Sequence, residues 1–201
     1  MYQSVQNRIT DKLKTMPSGS VFFISDFSDL GTDVAIRQAL QRLSEKEKVI
    51  RLAKGVYYYP KTDKLIGVVK PTSDQIAQAI AKRDKARIIP TGSYALYKLG
   101  LTTQVPMNVV YLTDGSARKI QIGNQKIVFK KTSPRNLAVT HPLTALIIQG
   151  LKELGEENID QHHISSISAI INKAENQDKI RENIRFAPVW IQKIVHKILI
   201  V

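Results

Sequence analysis

The sequence predicts a mixed α+β protein made of two domains, residues 1–62 and residues 63–201. Residues 32–60, TDVAIRQALQRLSEKEKVIRLAKGVYYYP, have the pattern of an amphipathic helix followed by a β-hairpin. Residues 108–131 contain three short runs separated by Asp-Gly and Gly-Asn turn signals, which is typical of an antiparallel β-meander. Apolar helical patterns then continue to the end of the chain, so the second domain is predicted to combine this meander with a helical C-terminal part.

The first domain is predicted to have the element order of a winged helix-turn-helix. Before the helix and hairpin of residues 32–60 come a helix at 4–16, a short strand at 21–24 and a weak helix at 25–30 that begins at Ser25. Helix, strand, helix, turn, helix and hairpin is the winged-helix order. The predicted apolar core of this domain consists of Val5, Ile9, Leu13, Phe22, Ile24, Phe27, Leu30, Ile36, Leu40, Leu43, Ile50, Leu52, Val56 and Tyr58.

A winged helix of this kind predicts binding to double-stranded DNA through its third helix and its hairpin. The third helix has Thr32 as a good N-cap and carries Arg and Gln side chains away from its apolar face. Such side chains read base edges in the major groove, whereas basic side chains on the hairpin contact phosphates or the minor groove. The predicted DNA-binding residues are Arg37, Gln38, Gln41 and Arg42 on the helix, Arg51 and Lys54 on the hairpin, and Thr32, Lys46 and Ser28 as secondary phosphate contacts.

The second domain is predicted to begin with a helix at residues 75–85, capped by Ser73 or Asp74, and a short strand at 87–90. A short helix follows Gly92 and precedes the meander. The C-terminal part is predicted to contain helices at residues 142–154, 159–172, 177–186 and 188–201.

The composition favours a polyanionic partner and excludes several kinds of site. The 201 residues include 30 Lys and Arg against 17 Asp and Glu, a formal net charge of +13, as is common in nucleic-acid-binding proteins. The chain has no Cys, which excludes disulfides, a thiol nucleophile and cysteine-based metal sites. The N-terminus does not have the pattern of a signal peptide, and no apolar run approaches a membrane span, so a soluble cytoplasmic protein is expected.

The positive charge is concentrated in the middle of the chain. Residues 1–62 carry 10 Lys and Arg against 6 Asp and Glu, a net +4, and residues 63–150 carry 13 against 4, a net +9. Residues 151–201 carry 7 against 7. The middle segment therefore forms either a second binding surface or a solvated face. The residues of this second basic surface are Lys82, Arg83, Lys85, Arg87, Lys119, Lys126, Lys130 and Lys131.

The sequence has no catalytic or metal-binding constellation. The acidic residues of residues 63–150 form no D-x-D pair, and no H-x-E pattern occurs. His162 and His163 are adjacent, so on a helix they would point about 100° apart and make a poor metal site. Neither glycine-rich phosphate-loop pattern is present. We therefore expect no enzymatic activity, no metal and no cofactor.

The sequence resembles the AbiEi-type antitoxins and their transcriptional-regulator-like relatives. The block TDVAIRQALQRLSEKEKVIRLAKGVYYYP is similar to the winged-helix unit of that family. The stretch PTGSYALYKLGLTTQVPMNVVYLT is similar to its second domain, where a short helix leads into an LGLT-x-Q-x-P segment and a strand. Pro142, Ala145 and Leu146 match the P-x-x-A-L helix of those proteins. The resemblance covers residues 3–155.

This resemblance implies a transcriptional autorepressor and antitoxin of a type IV toxin–antitoxin operon. Its N-terminal unit would bind operator DNA, and its C-terminal unit would be needed for antitoxicity. The toxin would be a nucleotidyltransferase-like protein encoded next door, with which no stable complex is required. A palindromic operator would favour a homodimer, although no segment of the sequence forms a clear dimer seam. The alternative is a module in which residues 63–201 bind RNA or an acidic protein and the winged helix is a scaffold.

Overall fold

Helices and strands occur in separate runs along the chain in the computed structural model, which describes residues 3–200, so the predicted α+β class is confirmed. Two compact units are present. The first contains residues 3–80 together with Gln121–Gly123, and the second contains residues 81–120 and 124–200. The boundary falls near residue 80, whereas the domain boundary predicted from the sequence follows residue 62.

The first unit has the predicted order of elements up to residue 59, and a further hairpin and the helix α3 follow, of which the last three residues belong to the second unit. These elements are α1 (Val5–Thr15), β1 (Val21–Phe23), a 3-10 helix (Ile24–Leu30), α2 (Asp33–Glu45), β2 (Ile50–Ala53), β3 (Val56–Tyr58), β4 (Lys61–Asp63), β5 (Gly67–Val69) and α3 (Ser73–Arg83).

The core of the first unit lies between the helices and a small antiparallel sheet of strand order β1-β3-β2. Phe22 of β1 stacks on Tyr57 of β3, with ring centroids 5.7 Å apart, and meets Phe27 edge-on at 5.5 Å. Aromatic burial of this kind contributes much of the stability of a small domain. The buried cluster consists of Ile9, Leu13, Phe22, Ile24, Phe27, Ile36, Ala39, Leu40, Leu43, Val49 and Tyr57.

Two helix starts differ from the sequence prediction. Residues 24–30 form a 3-10 helix and not a helix that begins at Ser25, because the Asp26 carboxylate accepts the Phe23 N–H at 2.8 Å and sets the start at Phe23. The cap of α3 is Thr72 and not Ser73 or Asp74. The Thr72 hydroxyl accepts the Gln75 N–H at 3.2 Å, and the Gln75 side chain accepts the Thr72 N–H at 2.8 Å, which is a capping box.

The hairpin of β4 and β5 explains why the first unit extends beyond residue 62. The two strands pair from Lys61↔Val69 to Asp63↔Gly67. The Tyr58 hydroxyl donates to the Val69 carbonyl at 2.6 Å, so the end of the hairpin is bonded to the last residue of β3.

The second unit consists of a sheet with helices, followed by a helical part close to the predicted bounds. Its elements are β6 (Ile88–Thr91), α4 (Ser93–Lys98), β7 (Asn108–Thr113), β8 (Arg118–Ile122), β9 (Gln125–Lys131), α5 (Pro134–Leu137), α6 (Pro142–Leu154), a 3-10 helix (Glu156–Asn158), α7 (Gln161–Asn172), α8 (Gln177–Ile184) and α9 (Val189–Ile200). The last residue of the predicted final helix, Val201, lies outside the described residues.

The predicted antiparallel meander is wrong. The strand order is β6-β7-β9-β8, and β7 and β9 are parallel neighbours, in register from Asn108↔Lys126 to Thr113↔Lys131. Strands covered on both faces have nearly continuous apolar runs, as in Val109–Leu112 of β7 and Ile127–Phe129 of β9, whereas the edge strand β8 alternates.

The segment after β7 does not fold back as a hairpin, although Asp114-Gly115 is a tight-turn signal. The Asp114 carboxylate accepts the Arg87 N–H at 2.8 Å, and the Gly115 N–H donates to the Thr113 hydroxyl at 3.0 Å. These bonds hold the turn next to the start of β6, on the side of β7 opposite to β9, and β8 then pairs with β9 at the edge of the sheet. Asp114-Gly115 therefore forms a turn as predicted, but the next strand, β8, pairs with β9 and not with β7.

The helical part packs through a continuous apolar core that reaches from Ile89 of β6 to Ile198 of α9. Asn183 of α8 is buried within it, and its side-chain oxygen accepts the backbone N–H groups of Thr140 and His141 at 2.7 and 3.2 Å. This contact joins α8 to the start of α6. No helix within residues 3–200 is both long and apolar enough to span a membrane.

Candidate nucleic-acid interface

One face of α2 is buried and the opposite face presents the predicted DNA-binding side chains. Arg37, Gln38, Gln41 and Arg42 are all exposed. Residues four apart lie above one another on a helix, so Arg37 and Gln41 form one row and Gln38 and Arg42 form the next. The buried face that orients them consists of Ile36, Ala39, Leu40 and Leu43.

A groove of about 360 Å³ lies between α2 and the hairpin of β2 and β3. Tyr57 is buried in the sheet and also lines this groove. The packing of the hairpin against the core therefore fixes the position of one side of the groove. Three of the predicted DNA-binding residues meet there, Arg37 and Gln41 from the helix and Arg51 from the hairpin. The complete lining is Arg37, Gln41, Ser44, Glu45, Arg51, Gly55 and Tyr57.

The side chains in the groove are held by short bonds along the helix. Arg37 Nη2 lies 3.1 Å from Asp33 Oδ2, and Gln41 Nε2 donates to Glu45 Oε1 at 3.1 Å. Both carboxylates are exposed, and an exposed i,i+4 ion pair such as Arg37–Asp33 is worth about 0.3–0.5 kcal/mol. A phosphate or a base edge can therefore replace them at little cost. Glu45 is the acidic member of the lining and opposes any polyanion.

The tip of the hairpin is a tight turn that exposes Lys54. Gly55 has φ of +74°, a region in which a side chain is strained, although a Cβ there would meet no atom within 4 Å. The turn therefore favours glycine because of its positive φ, and not because a side chain would clash. The strand before it has a register shift between Arg51 and Ala53. Such a bulge re-aims side chains at the end of a hairpin.

The secondary phosphate contacts predicted for the first unit lie at the two ends of α2 and within the 3-10 helix. Thr32 caps α2 by accepting the Ala35 N–H at 3.3 Å, and Lys46 is the C-cap. Ser28 is exposed in the 3-10 helix. None of these three residues lines the groove with Arg37, Gln41 and Arg51.

The second basic surface does not form one face. Side chains alternate across a strand, so Lys126 and Lys130 of β9 lie on one face of the sheet and Lys131 lies on the other. Lys119 belongs to the edge strand β8. The remaining members, Lys82, Arg83, Lys85 and Arg87, lie at the end of α3 and in the loop that follows it.

Two arginines of this second basic surface are engaged within the protein. Arg83 Nε lies 2.8 Å from Asp84 Oδ1, and Arg87 Nη2 donates to the Val139 carbonyl at 3.2 Å. All eight side chains are exposed. The positive charge of the middle segment is therefore dispersed and partly compensated.

Arg118 is a partly buried charge that the sequence did not predict. Its guanidinium pairs with Asp84 and stacks over the Phe129 ring, 5.2 Å from the ring centroid. Burial and then the charge of Arg83 lower the pKa of Arg118. Its Nε is buried without a hydrogen-bond partner among the described residues. A lone arginine in an alternating strand gives no signal from which this environment can be predicted.

The two adjacent histidines lie at the start of α7, where the His163 N–H donates to the Asp160 carboxylate at 2.8 Å. This contact belongs to the cap of the helix. In the part of the chain that the structure describes, no group of three or more His, Asp and Glu side chains is placed to hold a metal ion.

The comparisons with known proteins establish a family and a fold. The chain belongs to DUF6088, a family of unknown function, whose model matches residues 8–180. No curated protein matches the chain. The crystal structure of the RV2827C protein from Mycobacterium tuberculosis is similar, with a TM-score of 0.52, 10% sequence identity and coverage of 99% of this chain and 77% of that chain. At that identity the likeness supports a shared fold alone.

Proposed function

We propose that the protein is a DNA-binding transcriptional autoregulator whose first unit is a winged helix-turn-helix. The observation that carries this proposal is the groove in which Arg37 and Gln41 of α2 face Arg51 of the hairpin. An exposed helix of this kind fits the major groove, and a basic hairpin beside it contacts the backbone or the minor groove. The net charge of +13 supports a polyanionic partner.

The antitoxin role is a separate proposal, supported by the resemblance to the AbiEi-type antitoxins. The operon would encode a nucleotidyltransferase-like toxin next to this protein. Co-expression should then relieve the growth arrest that the neighbouring gene product causes. Continued arrest, with the protein present at full level, would contradict the antitoxin role and leave DNA binding intact.

A gel shift with the protein's own promoter tests the DNA-binding proposal. Arg37→Ala should weaken binding by roughly 1–3 kcal/mol and relax sequence preference, because a base contact is lost. Lys54→Ala should weaken binding to all sequences and lower the salt slope by about one, because a phosphate contact is lost. Arg135→Ala removes an exposed arginine of α5 and serves as the control. Unchanged affinity in both groove and hairpin variants would refute the assignment.

A further inference from the structure

A second groove, of about 510 Å³, lies between α7 and α9 in the second unit. Its apolar side chains are Ile164 of α7 and Ile194 and Ile198 of α9. Ile164 and Ile194 are only partly buried, although they pack against the core of the unit. The groove therefore leaves apolar surface in contact with solvent, which favours a binding role.

The two sides of this groove differ in charge. Lys193 and Lys197 lie four residues apart on α9, so their ammonium groups line the same edge. Within residues 3–200 neither lysine forms an ion pair with a carboxylate. The α7 side contributes the neutral polar Ser165 and Ser168. Two cations with no acidic neighbour in the lining create a local positive potential beside an apolar floor.

We infer that this groove binds an acidic amphipathic helix of a partner protein. A helix that lays an apolar face into a groove is a common recognition mode, with contacts at i, i+3, i+4 and i+7. Acidic side chains on one flank of that helix would match Lys193 and Lys197. The lining covers residues 161–168 of α7 and 193–198 of α9, which at 1.5 Å per residue are about 12 and 9 Å long. The groove therefore accommodates about two turns of the partner helix.

The test uses the full-length protein and a 16-residue helical peptide with Leu at i, i+3, i+4 and i+7 and Glu along one flank. A second peptide has Lys in place of every Glu. Trp190 is the chain's only tryptophan and lies one helical turn before Ile194 on α9, so its fluorescence reports binding without a label. Calorimetry on the same pairs gives the stoichiometry.

We expect the Glu peptide to bind the wild-type protein with one site and the Lys peptide to bind at least about tenfold more weakly, because only the first complements the lysines. Lys193→Glu/Lys197→Glu should reverse this preference. Lys173→Glu/Lys179→Glu makes the same change in charge outside the groove lining and should leave the preference unchanged. Circular dichroism verifies that each variant is folded.

Binding of neither peptide, equal binding of both peptides, or a preference that the double reversal does not change would each overturn the inference. A dimer in sedimentation equilibrium that Lys193→Glu/Lys197→Glu abolishes would show instead that a second copy covers the groove. The inference does not depend on DNA binding, and the double reversal should leave the promoter gel shift unchanged.

Discussion

The groove of the first unit and the second basic surface of the second unit both carry basic side chains, but in very different arrangements. In the groove, Arg37, Gln41 and Arg51 converge from a helix and a hairpin that share one packed core. In the second unit, Lys126 and Lys131 lie on opposite faces of one strand. Placement, and not the count of charges, thus distinguishes a candidate binding site from a solvated surface.

The difference also concerns how each region compensates its charge. Asp33 and Glu45 bind the groove side chains from solvent-exposed positions, so a ligand can displace them. Asp84, in contrast, lies between Arg83 and the partly buried Arg118. Removal of one partner from such a partly buried pair leaves a charge uncompensated. The first arrangement suits exchange with a ligand, and the second suits the stability of the unit.

The largest expected effect is on promoter affinity, and it is measured by comparing one double variant in each region. Arg37→Ala/Arg51→Ala should weaken promoter binding by roughly 2–4 kcal/mol, because a helix contact and a hairpin contact are both lost. Lys126→Ala/Lys130→Ala also removes two positive charges and should change the affinity by less than about 1 kcal/mol. Fluorescence anisotropy with labelled promoter DNA at fixed salt measures both.

A larger loss of affinity in the strand variant than in the groove variant would contradict the proposed difference between the two regions. If the strand variant lost more affinity than the groove variant, the second basic surface would be the working surface, as the alternative hypothesis requires. Replacement of the promoter DNA by a single-stranded RNA of the same length would then show which nucleic acid that surface prefers.

The elements with strong local signals could be predicted from the sequence, and the arrangement of strands could not. Helix α2 begins after Thr32 as predicted, because its cap and apolar period are local properties. The partner of β7 is decided by packing between distant segments, and the two-residue period of a strand does not specify which neighbour it pairs with. The parallel pairing with β9 was therefore missed.

The candidate site was predictable to a similar degree. The residues of α2 were found because helical spacing separates them from the apolar face. The meeting of Gln41 with Arg51 depends on how the hairpin packs, and only the structure shows it. Glu45 was not singled out, since an acidic side chain in a basic region looks like ordinary surface until its position in the groove is known.

The second prediction concerns the extent of the first unit. Tyr58→Phe should lower the free energy of unfolding by about 1 kcal/mol, because the Val69 carbonyl loses its hydrogen-bond donor. The matched variant Tyr97→Phe changes an exposed tyrosine of α4 and should change the free energy by less than about 0.5 kcal/mol. Urea denaturation measures both. Equal effects would mean that the hairpin of β4 and β5 is not held by this bond.

The third prediction tests the acidic side chain in the groove. Glu45→Gln keeps an acceptor for the Gln41 amide but removes the negative charge. Promoter DNA should then bind about two- to fivefold more tightly, because repulsion of the phosphates is reduced. Glu175→Gln, an exposed position outside the groove, is the control. Weaker binding by the Glu45 variant would show that this carboxylate contacts a base and does not oppose the DNA.

The smallest expected effect is on the free energy of unfolding, and it concerns the residues that follow α2 and α3. Glu47 and Lys85 have φ of +55° and +53°, and each follows a helix in a conformation that favours glycine. The left-handed conformation destabilises a residue with a side chain by about 1–2 kcal/mol, and glycine avoids this strain. Glycine also loses more conformational entropy on folding, which cancels about 0.5–1 kcal/mol of the gain. Glu47→Gly and Lys85→Gly should therefore each raise the free energy of unfolding by about 0.5 kcal/mol.

These two glycine variants also differ in charge, and this difference bears on the comparison of the two regions. Glu47→Gly removes an acidic side chain close to the groove helix and should slightly strengthen promoter binding, whereas Lys85→Gly removes a member of the second basic surface and should leave it unchanged. A chemical denaturation midpoint at constant slope gives the stability, and the gel shift gives the affinity. A loss of affinity in the Lys85 variant, at equal or greater stability, would mean that the second unit takes part in DNA binding, because folding could not explain the change.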